Sequence, residues 1–172
     1  MIYDERTKRY YHSSPCHIKL IKEREMTCRE NEQWDALFQY IMNLHDLVVF
    51  PKGNITRLKD LRAGYIMKDG KRVRQWRTGP DYALMLDAYK LAENSIKWCI
   101  ANKLNGSKDT KAINYGISIM IDKLNEANDR RKLKMRQQQI IKSNKEDDQL
   151  NKNIEINYIS KRPRDNDISD FL

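Results

Sequence analysis

Residues 79–103, GPDYALMLDAYKLAENSIKWCIANK, restrict what this chain can fold into more than any other stretch. At helical spacing one apolar stripe runs Tyr82, Met85, Leu86, Tyr89, Ala92, Ile96, Cys99 and Ile100. A second runs Leu84, Ala88, Leu91 and Trp98, which leaves Asp87, Lys90, Asn94 and Lys97 as a narrow strip for water. A surface helix needs one apolar stripe, and a helix with two needs protein on both sides. The stretch therefore predicts a central helix, and the rest of the chain must supply its covers.

Two further periodic segments can do so. Thr27-Cys-Arg-Glu30 has capping-box spacing and precedes Trp34, Leu37, Phe38, Ile41, Leu44 and Val48. With Phe50-Pro51-Lys52-Gly53 as its stop, this predicts a helix over about 28–49. Ile113, Ile117, Met120, Ile121, Leu124 and Ala127 predict another, over about 108–140. Asn105-Gly106 closes the central helix and Ser107 can cap this last one; so short a link makes the two antiparallel neighbours. Gly79-Pro80 opens the central helix, over about 80–103, with proline in its first turn.

Between the first and central helices the sequence inserts two small elements. Asn54 can cap a short helix carrying Ile55, Leu58 and Leu61, ended by Gly64. Residues 65–76 then place Asp69-Gly70 between two short alternating runs, the signature of a β-hairpin with a type I′ turn. This hairpin is basic: Lys68, Lys71, Arg72, Arg74 and Arg77 stand against Asp69 alone. The predicted fold class is mainly α, a three-helix bundle with an inserted short helix and β-hairpin.

The ends carry no core of their own. Residues 1–26 read as an N-terminal arm with Tyr3, Tyr10 and Tyr11, and with CHIKLI at 16–21 as a short strand. The bundle occupies 27–142, with a basic extension at Arg130, Arg131, Lys134 and Arg136 where the apolar stripe fails. Residues 143–172 read as an extended C-terminal arm, too polar to fold alone. Its Ile154, Ile156 and Tyr158 alternate like a strand that could join another sheet, and Phe171 and Leu172 form an apolar plug.

Composition limits the function classes. With 172 residues the chain is the size of one domain, and its net charge of +9 favours a polyanion or an acidic protein surface as partner. No apolar run spans a bilayer, and MIYDERTKRYYH lacks a secretory h-region. Three cysteines, Cys16, Cys28 and Cys99, are an odd number and read as reduced thiols. His12, Cys16, His17 and Cys28 share one stretch, but without a paired CxxC they read as surface groups rather than a zinc site. There is no G-x-S-x-G elbow, no Cys/His pair in recognisable context and no glycine-rich phosphate loop. His45, near the apolar stripe of the first helix, reads as a packed or half-exposed histidine rather than a base; Glu30 with Glu32 and Asp147 with Asp148 read as surface charge. The expectation is a protein without enzymatic activity, cofactor, metal or small-molecule substrate.

A helical bundle with a projecting basic hairpin (Lys71, Arg72, Arg74), a helix running past its core and a terminal arm at 143–172 resembles, in outline, the head–tail connector proteins of tailed bacteriophages. The resemblance is architectural and covers mainly residues 27–172. It implies a ring-forming virion subunit, with homo-oligomer and portal or neighbouring-ring partners and non-specific contact with DNA. Lys71, Arg72 and Arg74 would then face channel DNA or an acidic neighbour, and 143–172 would be the docking arm. The protein is expected in the virion if phage-encoded and otherwise in the cytoplasm. The alternative is a DNA-binding protein of winged-helix or small-terminase type, with the basic hairpin as its wing on the phosphates.

Overall fold

A computed structural model describes residues 1–104, 106 and 109–153, with side chains as far as residue 146. The elements run β1 (Ile2–Asp4), β2 (Arg9–Tyr11), α1 (Cys16–Leu44), α2 (Lys52–Arg62), β3 (Tyr65–Lys68), β4 (Lys71–Arg74), α3 (Tyr82–Lys103) and α4 (Thr110–Asn153). The chain is thus mainly helical, with two small antiparallel hairpins. It divides into two compact units, Met1–Arg131 and Lys132–Leu172.

The core lies in the first unit. Leu37 and Ile41 of α1, Leu58 and Leu61 of α2, Met85, Ala88, Tyr89, Ala92 and Ile96 of α3, and Ile113, Ile117, Met120, Leu124 and Ala127 of α4 form one buried cluster. Each large member contributes about 1.5–3 kcal/mol on leaving water. The central position of α3 is realised: most of its first stripe is buried, and Leu84 and Leu91 of the second pack against the same cluster. Trp98 is the exception. It stays 57% exposed, with the Lys103 ammonium 5.8 Å from its ring.

α1 departs from expectation at both ends. It starts at Cys16, so residues 16–21 are helical turns rather than a strand, and the helix begins inside the predicted arm. The Thr27 box is not used: the Thr27 hydroxyl donates to the Glu23 carbonyl at 2.8 Å, and Glu30 bonds Arg62. A capping box marks a start only where the preceding residues are not helical, and here the helix already runs from Cys16. α1 then ends at Leu44, because Asp46 takes φ +49. Val48, expected on the stripe, is 94% exposed, whereas Phe50 returns to stack on Phe38 with ring centroids 5.0 Å apart.

The other helix ends follow local chemistry, sometimes through a different residue. α2 begins at Lys52, so Asn54 is not its cap; it is fully buried and donates to the Asn114 side-chain oxygen at 3.0 Å. Gly64 terminates α2 with φ +90, as expected. Pro80 stands just outside α3, whose cap is Asp81, its carboxylate accepting from the Leu84 amide at 2.6 Å. Asp109 serves α4 in the same way, accepting from the amides of Lys111 and Ala112, each at 3.0 Å. The predicted cap Ser107 lies outside the described residues. α4 continues past 140 to Asn153, so the first eleven residues of the expected C-terminal arm, 143–153, are helical. Its described side chains from 132 to 146 are exposed.

His45, the last cap of α1, is 3% exposed, and neither ring nitrogen has a hydrogen-bond partner. Burial pushes its imidazole pKa down and favours the neutral form, so of the packed and half-exposed placements expected the structure has the packed one. Gly116 of α4 makes room for it: a Cβ there would stand 3.0 Å from His45 Nε2. No described helix is long and apolar enough to cross a membrane.

Candidate functional site

The expected basic hairpin is present with its expected turn. β3 and β4 pair antiparallel with Lys68 opposite Lys71, and Asp69 and Gly70 take φ +49 and +74, the two left-handed conformations a type I′ turn requires. Its base is clamped by backbone: the Gln75 and Trp76 amides donate to the Gly64 carbonyl at 2.9 and 3.2 Å, and Gly79 N–H donates to the Arg62 carbonyl at 3.1 Å. Glycine is needed at both clamp points. A Cβ at Gly64 would strike the Trp76 carbonyl, and one at Gly79 the Leu61 carbonyl.

The cations on this hairpin divide into two groups. Arg72 turns back on the protein, with its guanidinium 3.8 Å over the Tyr65 ring and a 2.7 Å ion pair to Asp60. Arg74 donates to the Trp76 and Arg77 carbonyls at 3.3 and 3.0 Å. The side chains of Lys68, Lys71 and Arg77 are exposed. On α4, Arg130 pairs with Glu126 at 2.7 Å, and Arg131 makes contacts of 3.0 and 2.9 Å to the two carboxylate oxygens of Asp81. Lys134, in the second unit, is exposed. Ile154, Ile156, Tyr158, Phe171 and Leu172 lie outside the described residues.

Arg131 also belongs to a cleft of about 670 Å³, open to solvent, between α1 and the residues Arg62 and Asp81. Four of its charges are paired, Glu30 with Arg62 at 2.8 Å and Asp81 with Arg131 at 2.9 Å. A smaller hollow of about 480 Å³ is lined by Thr56, Arg57, Met67 and Asn114. There the half-buried Arg57 bonds only neutral oxygens, the Asn114 carbonyl and side chain at 2.9 Å and the Ser118 hydroxyl at 3.0 Å. Burial pulls its guanidinium pKa down. Cys16 and Cys28 are exposed, and among the described residues no group of three His, Cys, Asp or Glu side chains could hold a metal ion.

The chain matches, over residues 1–170, a family described as SPbeta prophage protein YorH. It belongs to that family. The protein is therefore phage-derived, and it is a helical phage protein whose family description names no activity. No curated protein and no solved structure matches it.

One feature of this family member escaped the sequence reading altogether. The N-terminal tyrosines stand on a second hairpin, with Ile2 opposite Tyr11, Tyr3 opposite Tyr10 and Asp4 opposite Arg9. Asp4 anchors it: its carboxylate takes two 2.6 Å bonds from Arg24 of α1, 2.8 Å from the Thr7 amide and 2.6 Å from the Thr7 hydroxyl. The Arg24 bonds, with the Thr7 hydroxyl behind them, hold the Asp4 carboxyl well below the usual carboxylate range. The signal was available, since Ile2-Tyr-Asp4 and Arg9-Tyr-Tyr11 flank a four-residue turn that starts beside an aspartate. Arg24 as the anchor was not, because it lies twenty residues away.

Proposed function

We propose that this prophage protein is a non-enzymatic subunit of a multi-protein assembly, joined to its neighbours through helical segments that display exposed apolar side chains. One observation carries this reading. Residues 16–33 of α1 and 132–146 of α4 supply no buried residue, yet they display Ile18, Ile21 and Met26 in the first unit and Leu133, Met135, Ile140 and Ile141 in the second. Helices draw most of their stability from packing an apolar face, and long stretches without one are marginal in water. A second protein chain supplies that packing. The specific assembly proposed is a head–tail connector ring. Support comes from the small helical bundle, the inserted hairpin and the long last helix, and the partners are further copies of the chain and a portal or adjoining ring.

Native mass measurement of the purified protein tests the reading. The expected result is a closed oligomer, or a complex with other phage structural proteins, that dissociates when Ile18, Ile21, Leu133 and Ile140 are changed to serine. A monomer that also fails to bind those proteins overturns it.

The second reading is duplex DNA binding through β3–β4, favoured by Lys68 and Lys71 at the hairpin tip. Arg72 and Arg74, spent on Asp60 and backbone carbonyls, weigh against it.

A further inference from the structure

We infer that the N-terminal hairpin is a single-stranded nucleic acid binding surface, in which Tyr3 and Tyr10 stack on unpaired bases and Arg6 and Lys8 of the turn meet the phosphates. This goes beyond the assembly reading and does not depend on it.

Tyr3 and Tyr10 are paired in register, so both side chains stand on the same face of a two-stranded sheet. Their rings form a tilted pair with centroids 4.9 Å apart. Aromatic rings drawn together like this usually close a core, yet Tyr3 is 48% and Tyr10 70% exposed. The opposite face carries Asp4, whose ion pair with Arg24 ties the hairpin to α1. The rings thus stand on a hairpin anchored to α1 rather than on a free tail.

Charge decides what kind of partner fits. Arg6 and Lys8 lie in the turn and are exposed; Arg9, also exposed, stands opposite Asp4 on the other face and adds only to the net charge of the hairpin. Asp4 is neutralised by Arg24, so Glu5 is the one carboxylate of the hairpin left to oppose these three cations. An apolar or acidic-peptide partner would use either the rings or the charges. A single strand uses both, because every base has a π-face and every residue of the backbone a phosphate. A duplex offers its phosphates but keeps its bases stacked away from the tyrosines.

The test is fluorescence anisotropy of the full chain with labelled oligothymidylate and oligouridylate of about 20 nucleotides, beside a duplex of the same length. Binding to either single strand, DNA or RNA, supports the inference, and the two arms show which sugar is preferred. Tyr3→Ala or Tyr10→Ala is expected to weaken binding about tenfold each. Tyr3→Phe and Tyr10→Phe keep the ring and should retain it, which separates stacking from loss of fold. Neutralising about two phosphates gives a slope of log affinity on log salt of about −1.5, and Arg6 and Lys8 to alanine should flatten it toward zero. The inference is overturned by no binding to either strand, by equal affinity for duplex, or by alanine variants that bind unchanged. A change in native mass on losing the tyrosines, with nucleic acid binding intact, would assign the surface to protein instead.

Discussion

Both hairpins combine tyrosine with arginine, but the two structures dispose of them differently. In β3–β4, Arg72 lies over the Tyr65 ring and reaches Asp60, and Arg74 reaches two carbonyls. In β1–β2 the ion pair is made underneath, by Asp4 and Arg24, while no cation lies over Tyr3 or Tyr10 among the described residues. Their anchors differ as well. β3–β4 is closed by backbone hydrogen bonds around Gly64 and Gly79, whereas β1–β2 is tied down by a side-chain ion pair. A count of basic residues ranks β3–β4 as the binding element. What matters is which acceptors lie within reach: an arginine beside a carboxylate and two carbonyls becomes part of the scaffold.

The comparison can be broken most sharply at Gly79. Gly79→Ala drives a Cβ into the Leu61 carbonyl, and urea unfolding should show a loss of about 3 kcal/mol or more. Retention of stability within about 0.5 kcal/mol would mean that the clamp yields freely. Arg72→Ala comes next. Its ion pair is half exposed, so the expected cost is about 1 kcal/mol or less by the same measurement, including the ring contact. If Arg72→Ala instead abolished nucleic acid binding at unchanged stability, the scaffold role assigned to it would be wrong.

Arg24→Ala should leave the global unfolding midpoint in place while backbone amides of residues 2–11 exchange quickly, because the hairpin is a local unit held at one point. Protection that survives this change would show that the strands hold themselves. Acid provides the mildest test. The Asp4 carboxyl is shifted downward by folding, so the unfolded state takes up the proton first; the anchor is complete above the ordinary aspartate value of 3.8 and is lost as pH falls below it. Tyr10 exchange should accelerate there before that of Val73, whose hairpin is closed by backbone. Simultaneous opening of the two hairpins would erase the distinction.

Elements whose cause is local were legible in the sequence. The two stripes of α3, the Asp69-Gly70 turn and the Gly64 stop each depend on residues within a turn or two of one another, so periodicity and φ preference decide them. The candidate site was legible only as a list of charges. Lys68, Lys71, Arg72, Arg74 and Arg77 fall on the expected hairpin, but nothing near Arg72 in the chain announces that Asp60 will claim it. The start of α1 failed for the same reason. Thr27-Cys-Arg-Glu30 is a sound cap by itself, but α1 already runs from Cys16, and Glu30 is bonded by Arg62, thirty-two residues away. Asn54 likewise left its expected cap for the side chain of Asn114, sixty residues away.

By itself the sequence determined the helical class, the central helix and the β3–β4 turn, because backbone preference and amphipathic spacing act over a few residues. Only tertiary structure decided which charges are spent and which remain available, and that Tyr3 and Tyr10 share one supported, outward face. Those outcomes depend on groups brought within about 3 Å by chain closure, a distance that sequence separation does not encode.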